Sequence, residues 1–233
     1  VTYRGKPVAN ADIWLVSFRQ QGEMSVYERK SRTGGDGKFT FKITKTDRGE
    51  LHASKTVMAV HGNYSMGWTL IPVDSTPVPL AITLTEPHTV SGTILDTEGK
   101  PIRDAEVWVR MLSKRINLFI FTNDIIGFEP AFQPLVVRTD EYGTFTLGHI
   151  PIDSMVSVAA RKRGFAWNST PGVPPDANMV SLTLKRGNII EGTVLLADTR
   201  KAVPGVVVRA NSFDSTKGDQ NGSYGTAVTD ING

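Results

Sequence analysis

The feature that most constrains this chain is that it repeats itself. Gly5-Lys6-Pro7-Val8-Ala9-Asn10-Ala11-Asp12-Ile13-Trp14-Leu15 returns as Gly99-Lys100-Pro101-Ile102-Arg103-Asp104-Ala105-Glu106-Val107-Trp108-Val109, and more weakly as Lys201-Ala202-Val203-Pro204-Gly205-Val206-Val207-Val208. A second motif follows each copy: Arg32-Thr33-Gly34-Gly35-Asp36-Gly37-Lys38-Phe39, then Arg138-Thr139-Asp140-Glu141-Tyr142-Gly143-Thr144-Phe145, then Thr229-Asp230-Ile231-Asn232-Gly233. A third element, Val90-Ser91-Gly92-Thr93-Ile94, recurs as Ile190-Glu191-Gly192-Thr193-Val194. Solenoid repeats have periods of roughly 20–50 residues. A period near 100 therefore makes each copy a domain with its own core, and the expected architecture is beads rather than a continuous stack.

Each motif has a local physical reading. In Ala105-Glu106-Val107-Trp108-Val109 the alternation places Ala105, Val107 and Val109 on one buried strand face. The Gly-Lys-Pro tripeptide supplies the preceding turn. Asp140-Glu141-Tyr142-Gly143 lies between two apolar alternating runs and reads as a hairpin turn, aspartate opening it and glycine closing it in the left-handed region. Val156–Ala160 and Met179–Leu184 alternate again. Six or seven strands per complete copy, with no helix, give an all-β chain of tandem Greek-key antiparallel β-sandwich modules. The expected units are 1–87, 88–187 and 188–233, with Val1 aligned to Leu95. The first unit then lacks an initial strand, and the third, with under half its strands, is too small to hold a core unaided.

The order apolar-x-Gly-x-apolar, Gly-x-Pro-apolar-x-x-Ala-x-Val, Thr-Asp-x-x-Gly-x-Phe resembles the carboxypeptidase regulatory-like domain. That resemblance implies a transthyretin-like (prealbumin-like) sandwich, grouped with carbohydrate-binding-like folds. Such modules stand beside peptidase domains, at the start of outer-membrane receptors, and in tandem in bacterial surface proteins. The resemblance thus implies an accessory role and names no ligand.

Composition narrows the partners. A net charge of +3 with short basic runs at Arg29–Arg32 and Arg161–Arg163 does not make a nucleic-acid interface. The chain has no cysteine, which removes disulfides and thiolate metal sites. No apolar run reaches the ~20 residues that span a bilayer. It opens at Val1 without a leader, so any targeting segment is expected to lie outside it. The expected location is extracytoplasmic: periplasmic, cell-surface or secreted.

No catalytic, cofactor or metal site can be assembled. His52, His61, His88 and His149 have no ligand spacing. Gly34-Gly35-Asp36-Gly37 leads into a strand, not a helix N-terminus that could hold phosphate. The acidic turns offer two carboxylates each (Asp140 with Glu141, Asp96 with Glu98) and read as plain turns rather than calcium loops. No Lys, Asn and carboxylate trio stands out for an internal isopeptide bond.

Aromatic residues mark where copies differ. Trp14 and Trp108 share one motif position, on the strand face opposite Ala105, Val107 and Val109, and Arg209 replaces them in the third copy. Trp68 and Trp167 also align, each following a Gly-aromatic stretch. These indoles either stack on a polysaccharide or cover a sheet face and cement the joint between modules. The second copy carries an insertion: Val109 to Thr139 spans 30 positions, against 18 from Leu15 to Thr33 and 19 from Ala210 to Thr229. It contains Phe119, Phe121, Phe128 and Phe132. These form an extra hairpin over the sandwich edge or an exposed patch for a protein partner.

The function expected from the residues is a non-catalytic structural or interaction module of a larger protein, contacting that protein's neighbouring domains. A carbohydrate-binding module, and an accessory to a peptidase or receptor, are the alternatives.

Overall fold

The computed structural model describes residues 1–17, 26–42, 55–71, 79–115, 121–128, 130–174, 179–187, 190–211 and 224–233. Its strands in the first copy are β1 (Thr2–Tyr3), β2 (Lys6–Pro7), β3 (Asp12–Ser17), β4 (Val26–Arg32), β5 (Lys55–Val60), β6 (Gly67–Leu70) and β7 (Thr83–Leu84). The second copy contains β8 (Pro87–Asp96), β9 (Glu106–Arg115), β10 (Phe121–Gly127), β11 (Val136–Arg138), β12 (Thr144–Pro151), β13 (Ser154–Arg161), β14 (Asn168–Ser169) and β15 (Val180–Leu184). The third has β16 (Val207–Asn211) and β17 (Tyr224–Val228). One 3₁₀ turn, Gln133–Leu135, is the helical element among the described residues.

The chain is all-β, as the alternation requires. In the second copy a sheet of order β10-β9-β13-β14, with β11 also on β9, faces a sheet of order β12-β8-β15. The first copy repeats this with β4-β3-β5-β6 and β2-β1-β7. Every named pair is antiparallel except the closing one: β8 lies parallel to β15, and β1 parallel to β7. Strand β4 lines the whole edge of β3, whereas in the second copy that edge is shared by β10 and β11. The insertion thus adds β10 and the 3₁₀ turn along one sheet edge.

The repeated motifs form a hydrogen-bonded clip that recurs three times. The side chains of Thr33, Thr139 and Thr229 accept the backbone N–H of Ala11, Ala105 and Val206 at 2.9, 2.8 and 2.9 Å. Each donates its hydroxyl to a carbonyl, of Val8, Ile102 and Val203, at 2.7, 2.7 and 2.6 Å. Gly37, Gly143 and Gly233 close the turn with φ of 71, 72 and 82°. A Cβ there would strike a carbonyl at 2.5–2.6 Å (Val1, Ile94, Val194). Glycine is needed on both counts: conformation and close approach.

The clip corrects the alignment. The N-terminal ammonium of Val1 and the backbone N–H groups of Ile94 and Val194 donate to the carbonyls of Gly37, Gly143 and Gly233. Val1 is therefore equivalent to Ile94, not Leu95. The hairpin from that residue to Val8, Ile102 or Val203 lengthens by one position from copy to copy, so aligning on the Gly-Lys-Pro turn slips the preceding strand.

Burial differs sharply along the chain. Val8, Ala11, Ile13, Leu15, Val57, Ala59, Ile82 and Leu84 make the first core. The second is built on Val90, Ile94, Val107, Val109, Phe145, Leu147, Val158 and Leu182. Beyond Leu184 no described residue is buried; Val207 is 50% and Val228 64% exposed.

Candidate functional site: an aromatic joint between the first two copies

The second hydrophobic cluster does not stop at the second copy. It takes in Val16, Met58, Met66 and Trp68, which lie on the outer face of the first copy's larger sheet. Strand pairing explains their grouping, since Trp14 opposes Met58 and Met58 opposes Trp68 across β3, β5 and β6. Three bulky apolar side chains therefore share one row on the face turned away from the first core. Left in water they would form a large apolar patch.

The second copy packs on this row, the insertion at Trp14 and Lys114 at Trp68. Phe132, 1% exposed, meets Trp14 edge-on with ring centroids 5.2 Å apart at 86°. Tyr27, on neighbouring β4, lies 5.1 Å from Phe132 and stacks at 6.5 Å on Phe128. Phe128 and Phe132 stack on each other at 5.4 Å. Edge-to-face and offset contacts of this kind add about 0.5–1.5 kcal/mol per pair beyond area burial. On the same face the Lys114 ammonium sits 4.9 Å above the Trp68 ring. A separate contact uses the bulge within β12, between Leu147 and Ile150 in its pairing with β8, where His149 has φ of 61°. Its carbonyl accepts the Met66 N–H at 3.0 Å, and its Nδ1 lies 3.0 Å from the Tyr64 carbonyl oxygen.

The four tryptophans accordingly do not present a common stacking surface. Trp68 is 2% and Trp108 3% exposed, and Trp14 is half-buried against Phe132. Alternation placed Trp14 and Trp108 on the outer face of their sheets, and they are there. In the first copy that face is covered by a neighbouring copy; in the second it is roofed locally. There the Arg161 guanidinium lies 5.9 Å over Trp108, Trp167 packs 6.2 Å from it, and Arg110 lies 5.4 Å over Trp167. Trp68 and Trp167 are not equivalent. Trp68 pairs with Met58 as Ser169 pairs with Ala159, which makes Ser169 the counterpart of Trp68. Met66 is the counterpart of Trp167, two residues earlier and on the same face.

Of the two alternatives for the phenylalanines, a packed hairpin or an exposed patch, the 4% exposure of Phe128 goes with packing. Phe121 opens β10, with its side chain outside the described residues, as is the whole of Phe119. The two copies have separate cores, and the second cluster runs on across the first copy's outer sheet.

Other sites considered from the sequence resolve simply. Asp140 commits both oxygens to its own turn, accepting the N–H of Tyr142 and Thr144 and the Thr144 hydroxyl. Those bonds hold its carboxyl below the ordinary value of 3.8. Asp104, bridged to Lys162 and Arg138 at 2.9 Å each, is lowered by those two partners. Among the described residues no three His, Asp or Glu groups converge as metal ligands. The buried polar residues among them are all Ser or Thr, so no Lys–Asn pair with a carboxylate lies in a core. His52 lies outside the described residues.

No family model matches the chain, and no curated protein does. The carboxypeptidase regulatory-like resemblance stands on its motif residues alone. Solved structures of similar course include the shaft pilin SpaA of Lactobacillus rhamnosus GG, at 13% identity over 80% of this chain and 88% of that one, TM-score 0.30. A streptococcal ancillary pilin covers 97% of this chain and 79% of its own at 11% identity, TM-score 0.27. The TIE protein of Bacillus anthracis is 13% identical over 99% of this chain and 40% of its own, TM-score 0.28. Likeness at this level names no family.

Proposed function

We propose that the chain is a non-catalytic structural stretch of a larger protein outside the cytoplasm, in which sandwich units at 1–87 and 88–187 are locked together as a semi-rigid spacer and 188–233 continues the series. One observation carries this: the rings of Phe128 and Phe132 from the second copy are buried against Trp14 and Tyr27 of the first. Two domains on a free linker would leave both faces wet. The motif residues add support, since they serve turns and cores and leave no reactive group over.

The test is rotational diffusion of the whole chain by amide relaxation. Residues of the first two copies should share one correlation time, and Phe128→Ser with Phe132→Ser should split it into two shorter ones. Two times already in the parent chain would contradict the proposal. Titration with polysaccharides, read by tryptophan fluorescence, addresses the stacking alternative: with Trp68 and Trp108 covered, no quenching is expected.

A further inference from the structure

We infer that the second copy is a tension-bearing clamp, resisting extension when the chain is pulled from its two ends. This rests on the spacer reading and adds what the spacer withstands. The argument is topological. The chain enters the second copy at the N-terminal end of β8 and leaves it at the C-terminal end of β15, and these two strands are adjacent and parallel. Parallel neighbours place the entry and the exit at opposite ends of one sheet. Pulling them apart slides β15 along β8, so their ladder bonds are loaded together. Antiparallel terminal strands would put both points at one end and let the bonds break singly, as a zipper opens.

Several details reinforce the sliding contact. The β8–β15 register holds five consecutive pairs, Val180 with Gly92 through Leu184 with Asp96. The other half of β8, Pro87–Thr93, is held by β12. Strand β8 is therefore central, gripped over its whole length. At Gly92 the grip is tightest: a Cβ there would lie 2.0 Å from the Val180 carbonyl and 2.8 Å from the Phe145 ring. The glycine lets β15 and the phenylalanine close on the strand from two sides. Leu182 and Leu184, 4% and 0% exposed, anchor β15 in the core, so sliding also drags apolar side chains out of their packing. The first copy closes in the same parallel way, but over two pairs, Thr2 with Thr83 and Tyr3 with Leu84. The stronger clamp lies in the second.

Resistance to force is a rate property set by the barrier to unfolding, so it is measured by pulling rather than by melting. The experiment is single-molecule force spectroscopy on the whole chain. End-to-end pulling should give a second-copy peak several-fold above that obtained with handles at Thr89→Cys and Ile152→Cys. Thr89 lies near the start of β8 and Ile152 just past the end of β12, where the two strands pair, so pulling there peels the pair open. The cysteine-free background allows a direct check: Thr93→Cys with Ser181→Cys places a disulfide across a register pair. Oxidised, this variant should lose the extension hidden between residues 93 and 181, about 300 Å; reduced, it should regain the parental trace. Equal forces in the two pulling geometries, or an oxidised trace with the full extension and unchanged peak, would overturn the clamp. If instead the two copies unfold without coupling while the end-to-end peak stays high, the locked-spacer reading fails and the clamp stands.

Discussion

Replacing Thr139 by valine should destabilise the first two copies by about 3 kcal/mol, and the same change at Thr229 should cost little. The Thr139 side chain is 5% exposed and makes two hydrogen bonds inside the clip, one from the Ala105 N–H and one to the Ile102 carbonyl. Valine keeps the shape and removes the hydroxyl. A donor and an acceptor are then left buried without partners, and each such loss costs about 1–3 kcal/mol. Spread over a cooperative unit of 150–250 residues, ~1 kcal/mol shifts the melting temperature about 2–4 °C. A fall of about 6–12 °C is therefore expected. Thr229 makes the same two bonds at 2.9 and 2.6 Å, but it is half-buried in a copy with no buried side chains among its described residues. Water can replace them, and the main transition should move by less than about 2 °C. Thermal unfolding followed by tryptophan fluorescence reads both variants side by side. Equal losses, or a Thr139→Val loss under about 1 °C, would refute the reasoning that the clip matters by burial.

Two further perturbations separate the copies. Gly92→Val should abolish folding of the second copy, because its Cβ would overlap the Val180 carbonyl, whereas Gly192→Val should be silent, with nothing within 4 Å of a Cβ there; circular dichroism distinguishes them. The acid limb of the stability curve should shrink in Asp104→Asn. The partners Lys162 and Arg138 lower the folded carboxyl below 3.8, so its contribution is present above that pH and is lost as pH falls through the folded value. Parent and variant denaturation midpoints should converge in strong acid and differ at neutral pH.

The repeat was legible because the clip needs particular chemistry at fixed places. Only a hydroxyl can bridge an N–H and a carbonyl as Thr33, Thr139 and Thr229 do, and only glycine fits beside the carbonyls of Val1, Ile94 and Val194. Strand alternation also sorted the faces correctly, with Val107 and Val109 inward and Trp108 outward. What alternation cannot encode is whether an outward face is wet. Trp68 is outward and 2% exposed, clustered with the second copy's core and lying under Lys114, a contact made 46 residues away along the chain. Phe128 and Phe132 looked like loop residues for the same reason: their partners belong to another copy. The remaining slips came from aligning on turns. One more residue between Ile94 and Ile102 than between Val1 and Val8 displaced the first strand, and matching the Gly-aromatic stretches paired Trp68 with Trp167, although the loops before β6 and β14 are equal in length.

The central claim, that the first two copies are fixed to each other through aromatic contact, is tested most directly by a double-mutant cycle on Trp14 and Phe132 in the whole chain. Trp14→Ala, Phe132→Ala and the double variant are compared by denaturant unfolding. Because the rings meet edge-on at 5.2 Å, the cycle should give a coupling of about 0.5–1.5 kcal/mol. Additive losses, with no coupling between the two positions, would show that the copies do not share this joint.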